Sequence, residues 1–363
     1  MRGTSQQVML DSFFGSLGED GDLQRGVSDR GFAKARDRLA WGCLERLSTF
    51  VVQLADDLGL VPRWQGLRVV AADASVLMPA VRPCLMRRSS ARADQRLFSL
   101  YLPSAELTLH ASVHGANVSE RQMLFEALGC LGPDDVLVLD RGYPAAWLVA
   151  YLTEHKIRFC MRCDKVNGWT AMRSLIRSGR TEAIVTLKKP SRLDAADYLC
   201  SGAAPQVRLV RNVTPDGKIW VLATNLPAEV FGDLYHQRWR IEEAYKRLKH
   251  RGKLESVSGL SQHAVLIDVY AKVLADNLSS LVCQGASEEA DLASKQRHCN
   301  RAYAAPCLQR LLPRMVMGLG CIVALLEKAF GLLGANSQRR VPGRTRPRPN
   351  HHVKPHPHMA YKG

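Results

Sequence analysis

The spacing of apolar and polar residues divides the chain into a helical start, a region of short strands and a helical end. Within residues 1–60, Ser28 stands before a polar segment in the position of a helix cap. Apolar residues from Leu44 to Leu58 then recur every three or four positions, which predicts a second helix with one buried face. Two interpretations fit this region: a helical scaffold with a solvated charged face, or a pair of helices that docks on a charged partner.

Short apolar or alternating runs follow, bounded by turn residues. The predicted strands are residues 67–73, 97–102, 106–114, 136–139, 157–161, 183–187, 207–213 and 219–223. The predicted helices begin at Ser119 and Pro144, continue with a long helix from about Pro227 to His250, and end with several between residues 262 and 333. This order favours an α/β protein with a mixed sheet and helices on its faces.

Composition and charge narrow the class of protein. Apolar residues make up 46% of the 363 residues, which excludes a disordered chain. Lys and Arg number 50 against 34 Asp and Glu, and the resulting net charge of +16 favours a polyanionic partner, nucleic acid before membrane. The longest apolar run, Met315 to Leu326, is shorter than the roughly 20 residues that cross a bilayer. We therefore expect no contact with a membrane. We expect an intracellular, cytoplasmic location.

The ten cysteines are expected to be thiols, mostly buried. Cys160 and Cys163 form a close pair, but no second pair or His pair follows at the spacing of a zinc site. Metal or redox chemistry at this pair is therefore disfavoured.

The long helix carries a polar column. At about 100° per residue, the column falls within an arc of roughly 60°. Its members are Tyr235, Arg238, Glu242 and Lys249, with Lys246 and Trp239 beside them and Leu234, Ile241 and Leu248 in the adjacent apolar stripe. A solvated helix face with ion pairs has the same appearance.

Two aspartates favour a functional interpretation of that column. Asp73 and Asp140 each end an apolar strand, so neighbouring strands would present both at one sheet edge, where a packed helix could bring Glu242. Three acids aimed at one point repel each other strongly without a metal ion. Carboxylate oxygens are the ligands that Mg²⁺ prefers, and two such ions promote phosphoryl transfer. We therefore predict that the three acids are catalytic and bind Mg²⁺, with Mn²⁺ as a substitute.

The same residues carry a family resemblance. The spacing Tyr235-x₂-Arg238-x₃-Glu242-x₆-Lys249 resembles the YREK signature of the insertion-sequence 4 family of bacterial DDE transposases. Asp140-Arg141-Gly142-Tyr143 is similar to that family's second-Asp motif. Asp73-Ala74-Ser75 is similar to its first, in which Gly usually stands where this chain has Ala74.

The resemblance implies an RNase H-like mixed sheet flanked by helices, interrupted by a β-rich insertion. The expected organisation follows from the elements above. It comprises a helical N-terminal region that binds DNA (1–65), a catalytic domain with C-terminal helices (66–165 and 226–334), the insertion (166–225) and a disordered basic tail (335–363).

The resemblance also implies an activity: cutting at the terminal inverted repeats of an insertion sequence and joining the 3′ ends to target DNA. Tyr235, Arg238, Lys246 and Lys249 are then expected to contact DNA phosphates. Trp220 matches the position at which hairpin-forming members stack a flipped base, although a core Trp on a strand fits equally. The expected partners are the double-stranded transposon ends and target DNA, with a homodimer on paired ends, in the bacterial nucleoid.

Two alternatives remain open from the sequence. One is a related RNase H-like nuclease that cuts DNA without strand transfer. The other is an inactive remnant that only binds DNA.

Overall fold

The computed structural model describes residues 5–18, 23–77, 95–163, 169–214, 217–227, 232–259 and 261–341. Its helices are α1 (Gln6–Leu17), α2 (Asp29–Arg38), α3 (Trp41–Asp57), α4 (Glu120–Ala127), α5 (Ala146–Glu154), α6 (Thr170–Ser178), α7 (Arg192–Asp197), α8 (Gly232–Gln237), α9 (Trp239–Lys246), α10 (Gln262–Glu289), α11 (Arg301–Val316) and α12 (Ile322–Ala335). Its strands are β1 (Arg68–Leu77), β2 (Gln95–Leu102), β3 (Leu107–Gly115), β4 (Asp135–Leu139), β5 (Arg158–Cys163), β6 (Glu182–Thr186), β7 (Gln206–Val213), β8 (Ile219–Thr224), β9 (Arg297–His298) and β10 (Gln338–Arg339).

The chain divides into two compact units. The sheet unit comprises residues 55–76 and 96–245, and the helical unit comprises residues 1–54, 77–95 and 246–363. No helix among the described residues combines the length and apolar character needed to cross a membrane.

The sheet unit is built on one eight-stranded sheet with the order β3-β2-β1-β4-β5-β8-β7-β6. β1, β4 and β5 run parallel, and β8 pairs antiparallel with β5. Helices pack on this sheet, α4 against β3 and both α5 and α8 against β5. The predicted α/β class, a mixed sheet flanked by helices, is confirmed.

Burial explains why the central strands form where the sequence predicts them. Every residue of β4 is buried, as its continuous apolar run requires. The strand begins with a buried carboxylate, Asp135, whose charge is neutralised by Arg68 on β1. Arg68 Nε lies 2.6 Å from Asp135 Oδ1. Paired in this way, the two buried charges fix the register of the parallel strands.

The strands predicted between residues 183 and 223 continue the core sheet. β8 pairs with β5 on one side and with β7 on the other, and β7 pairs with β6. Residues 169–223 also contain two helices, α6 and α7, that the sequence patterns did not predict. The central strands and the β-rich segment therefore form one continuous hydrogen-bonded sheet.

The helical unit has its core between α10, α11 and α12. The buried residues of this core are Val282, Cys283, Ala286, Cys299, Ala304, Leu308, Leu311, Met315, Ala329 and Leu333. Ser28 caps α2 as predicted, accepting a hydrogen bond from Gly31 N at 3.1 Å. Trp41 on α3 stacks on Tyr270 of α10 with ring centroids 5.3 Å apart.

The predicted buried face of α3 is wrong. Leu47 and Leu54 are exposed, whereas Ser48 and Val52 are buried. The reason is a polar contact, because Asn277 Nδ2 donates to Ser48 Oγ at 2.9 Å within the helical unit. A hydropathy pattern that counts only apolar positions places such a face incorrectly.

The single long helix predicted up to His250 is also corrected. Among the described residues it begins at Gly232, is interrupted by a turn at Arg238, resumes as α9, and ends in a π-helical turn, Arg247–Arg251. A π turn advances by a smaller angle per residue than an α turn. The 100° projection that placed Lys249 in the polar column therefore does not hold beyond Lys246.

The first residues of the predicted tail are structured. β10 pairs with β9, and Arg297 Nε donates to Ser337 Oγ at 2.7 Å. Residues 342–363 lie outside the described residues, so the tail itself stays a prediction.

Candidate active site at the carboxyl ends of two parallel strands

The two predicted aspartates lie side by side in the sheet unit. Ala71 on β1 is in register with Val138 on β4, so Asp73 and Asp140, each two residues further along, stand level. Local backbone groups orient both side chains. Ala74 N donates to Asp73 Oδ1 at 2.9 Å, and Gly142 N donates to Asp140 Oδ1 at 2.7 Å. Parallel pairing of the two apolar runs therefore brings the two aspartates together, although β1 continues past Asp73 to Leu77 and does not end there as the sequence predicts.

Burial makes this edge electrostatically unfavourable for its own charges. The pKa of Asp73 is raised from 3.8 to about 7, chiefly by desolvation and also by the negative charges of Asp140 and Glu120, while Arg238 acts in the opposite direction. The side chain of Asp73 is only 18% exposed. Protein groups alone therefore compensate this carboxylate incompletely at neutral pH.

Glu242 is linked to Asp73 through Arg238. The guanidinium of Arg238 is buried, with Nη2 2.9 Å from Glu242 Oε1 and Nη1 3.5 Å from Asp73 Oδ2. One cationic side chain thus bridges the first and third predicted acids. In the part of the chain that the structure describes, no three His, Cys, Asp or Glu side chains stand together at the spacing of metal ligands.

A tyrosine that sequence reasoning missed docks α9 on the sheet. Tyr245 Oη donates to the backbone carbonyl of Asp73 at 2.7 Å. Burial and the charge of Asp73 raise the pKa of this phenol well above its usual range, so it stays a donor. Because Tyr245 follows Glu242 by three residues on one helix, this hydrogen bond fixes the height of Glu242 relative to β1.

A fourth acid was also missed. Glu120 is the first residue of α4, and Ser119 caps that helix as predicted, accepting from Gln122 N at 3.2 Å. Burial and the nearby charge of Asp140 raise the pKa of Glu120, and Arg96 opposes the shift. We call Asp73, Glu120, Asp140 and Glu242 the acidic edge. An acid behind a helix cap is so common that nothing in the sequence marked Glu120.

Tyr143, noted in sequence only as part of a motif, lies beneath the acidic edge. It is fully buried, and its pKa is raised well above the usual range by burial and then by the charges of Glu120, Asp73 and Asp140. It therefore stays a neutral phenol beside three carboxylates.

Trp220 and Tyr235 form a second feature of the sheet unit. Their ring centroids are 5.3 Å apart at an interplanar angle of 45°. Beside them is a cavity of about 390 Å³, which we call the aromatic pocket, lined by Arg162, Thr214, Lys218, Ile219, Trp220, Tyr235, His236 and Trp239. Arg162 lies over the Trp220 ring at 5.8 Å, and Trp239 is 56% exposed. The predicted Trp thus lines an open pocket with aromatic and cationic walls.

The remaining predicted phosphate contacts belong to the helical unit. Lys246 ends α9, and Lys249 lies in the π-helical turn with Nζ 3.6 Å from Glu255 Oε1. The other predicted site residues, by contrast, all belong to the sheet unit.

The Cys160 and Cys163 pair is buried in β5. Burial raises the pKa of Cys163 to about 12 and that of Cys160 even further. Such thiols hardly ionise at neutral pH, which is the behaviour of structural cysteines.

Comparisons with known proteins show which proteins this chain is similar to. The transposase InsG of insertion sequence element IS4 from Escherichia coli (strain K12) is 25% identical over 274 residues, which cover 69% of this chain and 60% of InsG. The structure of the piggyBac transposase synaptic complex with hairpin DNA matches with a TM-score of 0.43 and 10% identity, over 95% of this chain and 80% of that one. The similarity to InsG bears out the resemblance to the insertion-sequence 4 family, while the YREK subgroup stays a prediction. The family model described as "Transposase DDE domain" matches residues 64–278, more than half of the chain, and the chain therefore belongs to the family of DDE-domain transposases.

Proposed function

We propose that this chain is a DNA transposase that cuts at the terminal inverted repeats of an insertion sequence and joins the 3′ ends to target DNA. The observation that carries the proposal is the acidic edge. Asp73 lies on β1, Asp140 directly follows the adjacent parallel strand β4, and burial works against the charge of Asp73. The proposal extends beyond the matched region, because the alignment covers only 60% of InsG.

Divalent cations fit the chemistry of this edge. The donors are carboxylate oxygens, the preferred ligands of Mg²⁺ and Mn²⁺. Asp73, Asp140 and Glu242 would hold the ions, and a cation there would offset the burial that raises the pKa of Asp73. Bound there, two such ions would activate a water or a 3′-hydroxyl and stabilise the leaving oxygen at a phosphodiester.

The chain's own cations have a separate role. Arg238 pairs with both Asp73 and Glu242, so it stands beside the place where a scissile phosphate would lie. A guanidinium binds phosphate through paired, charge-assisted hydrogen bonds. We assign Arg238, together with Tyr235, Lys246 and Lys249, to the phosphates of the transposon end.

The aromatic pocket suits a base taken out of the duplex. Trp220 offers an aromatic face, and Arg162 and Lys218 supply positive charge beside it. Aromatic faces stack on any base, and nearby cations attract the attached phosphates. We therefore assign Trp220 to an extruded base near the cleavage point, and expect two copies of the chain on paired ends.

The test uses the purified chain and a duplex that carries the inverted repeat flanking its own reading frame. Mg²⁺ or Mn²⁺ should support cleavage at the repeat and joining of the 3′ end to a plasmid, and Ca²⁺ with the same duplex should support binding only. A duplex with a scrambled repeat is the control. Cleavage without joining would favour the nuclease alternative, and binding without metal-dependent cleavage would favour the inactive remnant.

A further inference from the structure

We infer that Glu120 is an additional oxygen ligand for the divalent cation at the acidic edge. This inference rests on the proposed function and assigns a metal-binding role to a residue that no DDE motif in the sequence includes. Glu120 comes from α4, which is separate in sequence from the elements that supply Asp73, Asp140 and Glu242.

The first argument is a space shared by two carboxylates. A Cβ placed on Gly142 would lie 3.1 Å from Asp140 Oδ1 and 3.9 Å from Glu120 Oε2. The two carboxylates therefore flank the same small volume, which exists because residue 142 has no side chain. Two acids facing one volume repel each other unless a cation lies between or beside them.

The second argument is that the protein holds α4 in this position. Arg121, the residue after Glu120, donates from Nε to Gly142 O at 3.0 Å and from Nη2 to Pro144 O at 3.3 Å. The turn that carries Asp140 is therefore tied to the first turn of α4. This pair of hydrogen bonds keeps two like charges together that would otherwise separate.

The third argument is a buried donor with no partner. Tyr143 Oη makes no hydrogen bond within the described part of the chain, and its side chain is fully buried. Its phenol interacts electrostatically with Glu120, Asp73 and Asp140 together, which places it at the same group of acids. An unsatisfied buried hydroxyl is costly, and such groups concentrate where a ligand or ion completes the network.

Glu120 is also accessible to a cation from solvent. Its side chain is 35% exposed, and its Oε1 lies 3.6 Å from Arg96 Nη1, the length of a loose ion pair. Glu126, on the same helix, provides a contrast. It pairs with Gln122 and lies 3.7 Å from His114 Nδ1, away from the aspartates.

Mn²⁺ binding to the full-length chain, measured without DNA by electron paramagnetic resonance and by calorimetry, tests this role. The variants are Glu120→Gln, Glu120→Asp, Asp140→Asn and the matched control Glu126→Gln, each checked by thermal melting. Loss of an oxygen ligand should weaken Mn²⁺ binding about ten-fold or more in Glu120→Gln. Glu120→Asp keeps the charge at the helix start but shortens the reach, so we expect weakened binding in a fully folded protein. Glu126→Gln should bind Mn²⁺ as the unaltered chain does.

The outcomes separate this inference from the proposed function. Unchanged Mn²⁺ affinity in the folded Glu120 variants, together with a loss in Asp140→Asn, would overturn the role of Glu120 and leave the proposed function standing. Unchanged affinity in Asp140→Asn would overturn both. If Glu120→Gln does not fold, the Mn²⁺ affinity of Glu120→Asp decides the question in the same way.

Discussion

The acidic edge and the aromatic pocket are two features of one unit, and they differ in almost every physical property. Burial dominates the electrostatics of the acidic edge, because it opposes the charge of Asp73 and raises the pKa of that carboxyl group. The pocket is open, with a half-exposed Trp239 and two cationic side chains at its walls. In the proposed function, the acidic edge therefore takes positive charge from a ligand, and the aromatic pocket takes a planar, anionic ligand.

The short helix α8 and the turn after it connect the two. Tyr235 packs beside Trp220, and three residues later Arg238 binds Asp73 and Glu242. A nucleic acid that contacts this segment can thus place a base at the pocket and a phosphate at the edge at the same time. The predictions that follow test whether the two features really have these separate roles.

The largest effect is expected at the acidic edge. Asp140→Asn keeps the shape of the side chain but removes a metal-binding charge, so cleavage of an inverted-repeat duplex in Mg²⁺ should fall at least about a hundred-fold. Binding of the same duplex should persist, because affinity depends mainly on phosphate contacts. Cleavage and gel-shift assays on one protein preparation measure both quantities.

The third acid needs its own control. Glu242→Gln should lose cleavage as Asp140→Asn does, while Glu243→Gln, which alters an exposed neighbour, should keep it. The opposite pattern would move the third acid to Glu243.

The stability of the metal-free protein gives the next effect. Asp73 has its pKa raised from 3.8 to about 7, so the folded state is penalised as pH rises through that interval and remains penalised above it. Asp73→Asn removes the penalty and should stabilise the protein by about 2–4 kcal/mol above pH 7 in EDTA, with no difference near pH 4. Melting temperatures of both proteins across pH 4–8 measure this.

Added Mg²⁺ sharpens that result. It should stabilise the unaltered chain at pH 8 and leave Asp73→Asn unaffected, because only the first has the complete set of acids. Equal melting temperatures for the two proteins at every pH would show that Asp73 is compensated without a cation.

The two features also differ in how far the sequence reveals them. Asp73 and Asp140 were predicted together, because apolar runs that end in an acid determine both the strand and the edge. The sequence predicted that Glu242 lies on the same helix face as Arg238, but it did not predict the ion pair between them. The turn at Arg238, which directs the guanidinium toward Asp73 and Glu242, leaves no mark in the hydropathy pattern. Glu120 was missed, because its role depends on the distant contact of Arg121 with Gly142.

The strands between residues 183 and 223 were predicted, but the pairing of β8 with β5 was not. β8 pairs with β5 through backbone hydrogen bonds, which do not depend on the identity of the side chains. The aromatic pocket follows from that pairing, which brings Arg162 of β5 opposite β8 and near Trp220. Tertiary pairing of this kind cannot be deduced from local spacing, which explains why, of the residues that line the pocket, only Trp220 and Tyr235 were predicted to contact DNA.

A smaller effect is expected at the pocket. Base stacking on an aromatic side chain contributes about 1–3 kcal/mol, so Trp220→Ala should weaken capture of the terminal base roughly five- to hundred-fold. Fluorescence of 2-aminopurine placed at the transposon end measures extrusion directly. Trp220→Phe keeps an aromatic face and should retain most of the signal. Full extrusion in Trp220→Ala, with unchanged melting, would return Trp220 to a purely structural role.

The smallest effect is expected from Arg162, which distinguishes charge from stacking within the pocket. Its guanidinium lies over the Trp220 ring at 5.8 Å, a contact worth about 0.5–1 kcal/mol at an exposed site. If Arg162 also contacts a phosphate, Arg162→Gln should weaken binding of the transposon-end duplex a few-fold. The slope of log affinity against log salt concentration should then fall by about one, because one fewer counterion is released. Arg158 is the matched control, since it lies on the same strand and donates to the carbonyl of Pro133 instead. Arg158→Gln carries the same loss of charge, so an equal drop in salt slope for both variants would mean that net charge alone, and no contact within the aromatic pocket, attracts the DNA.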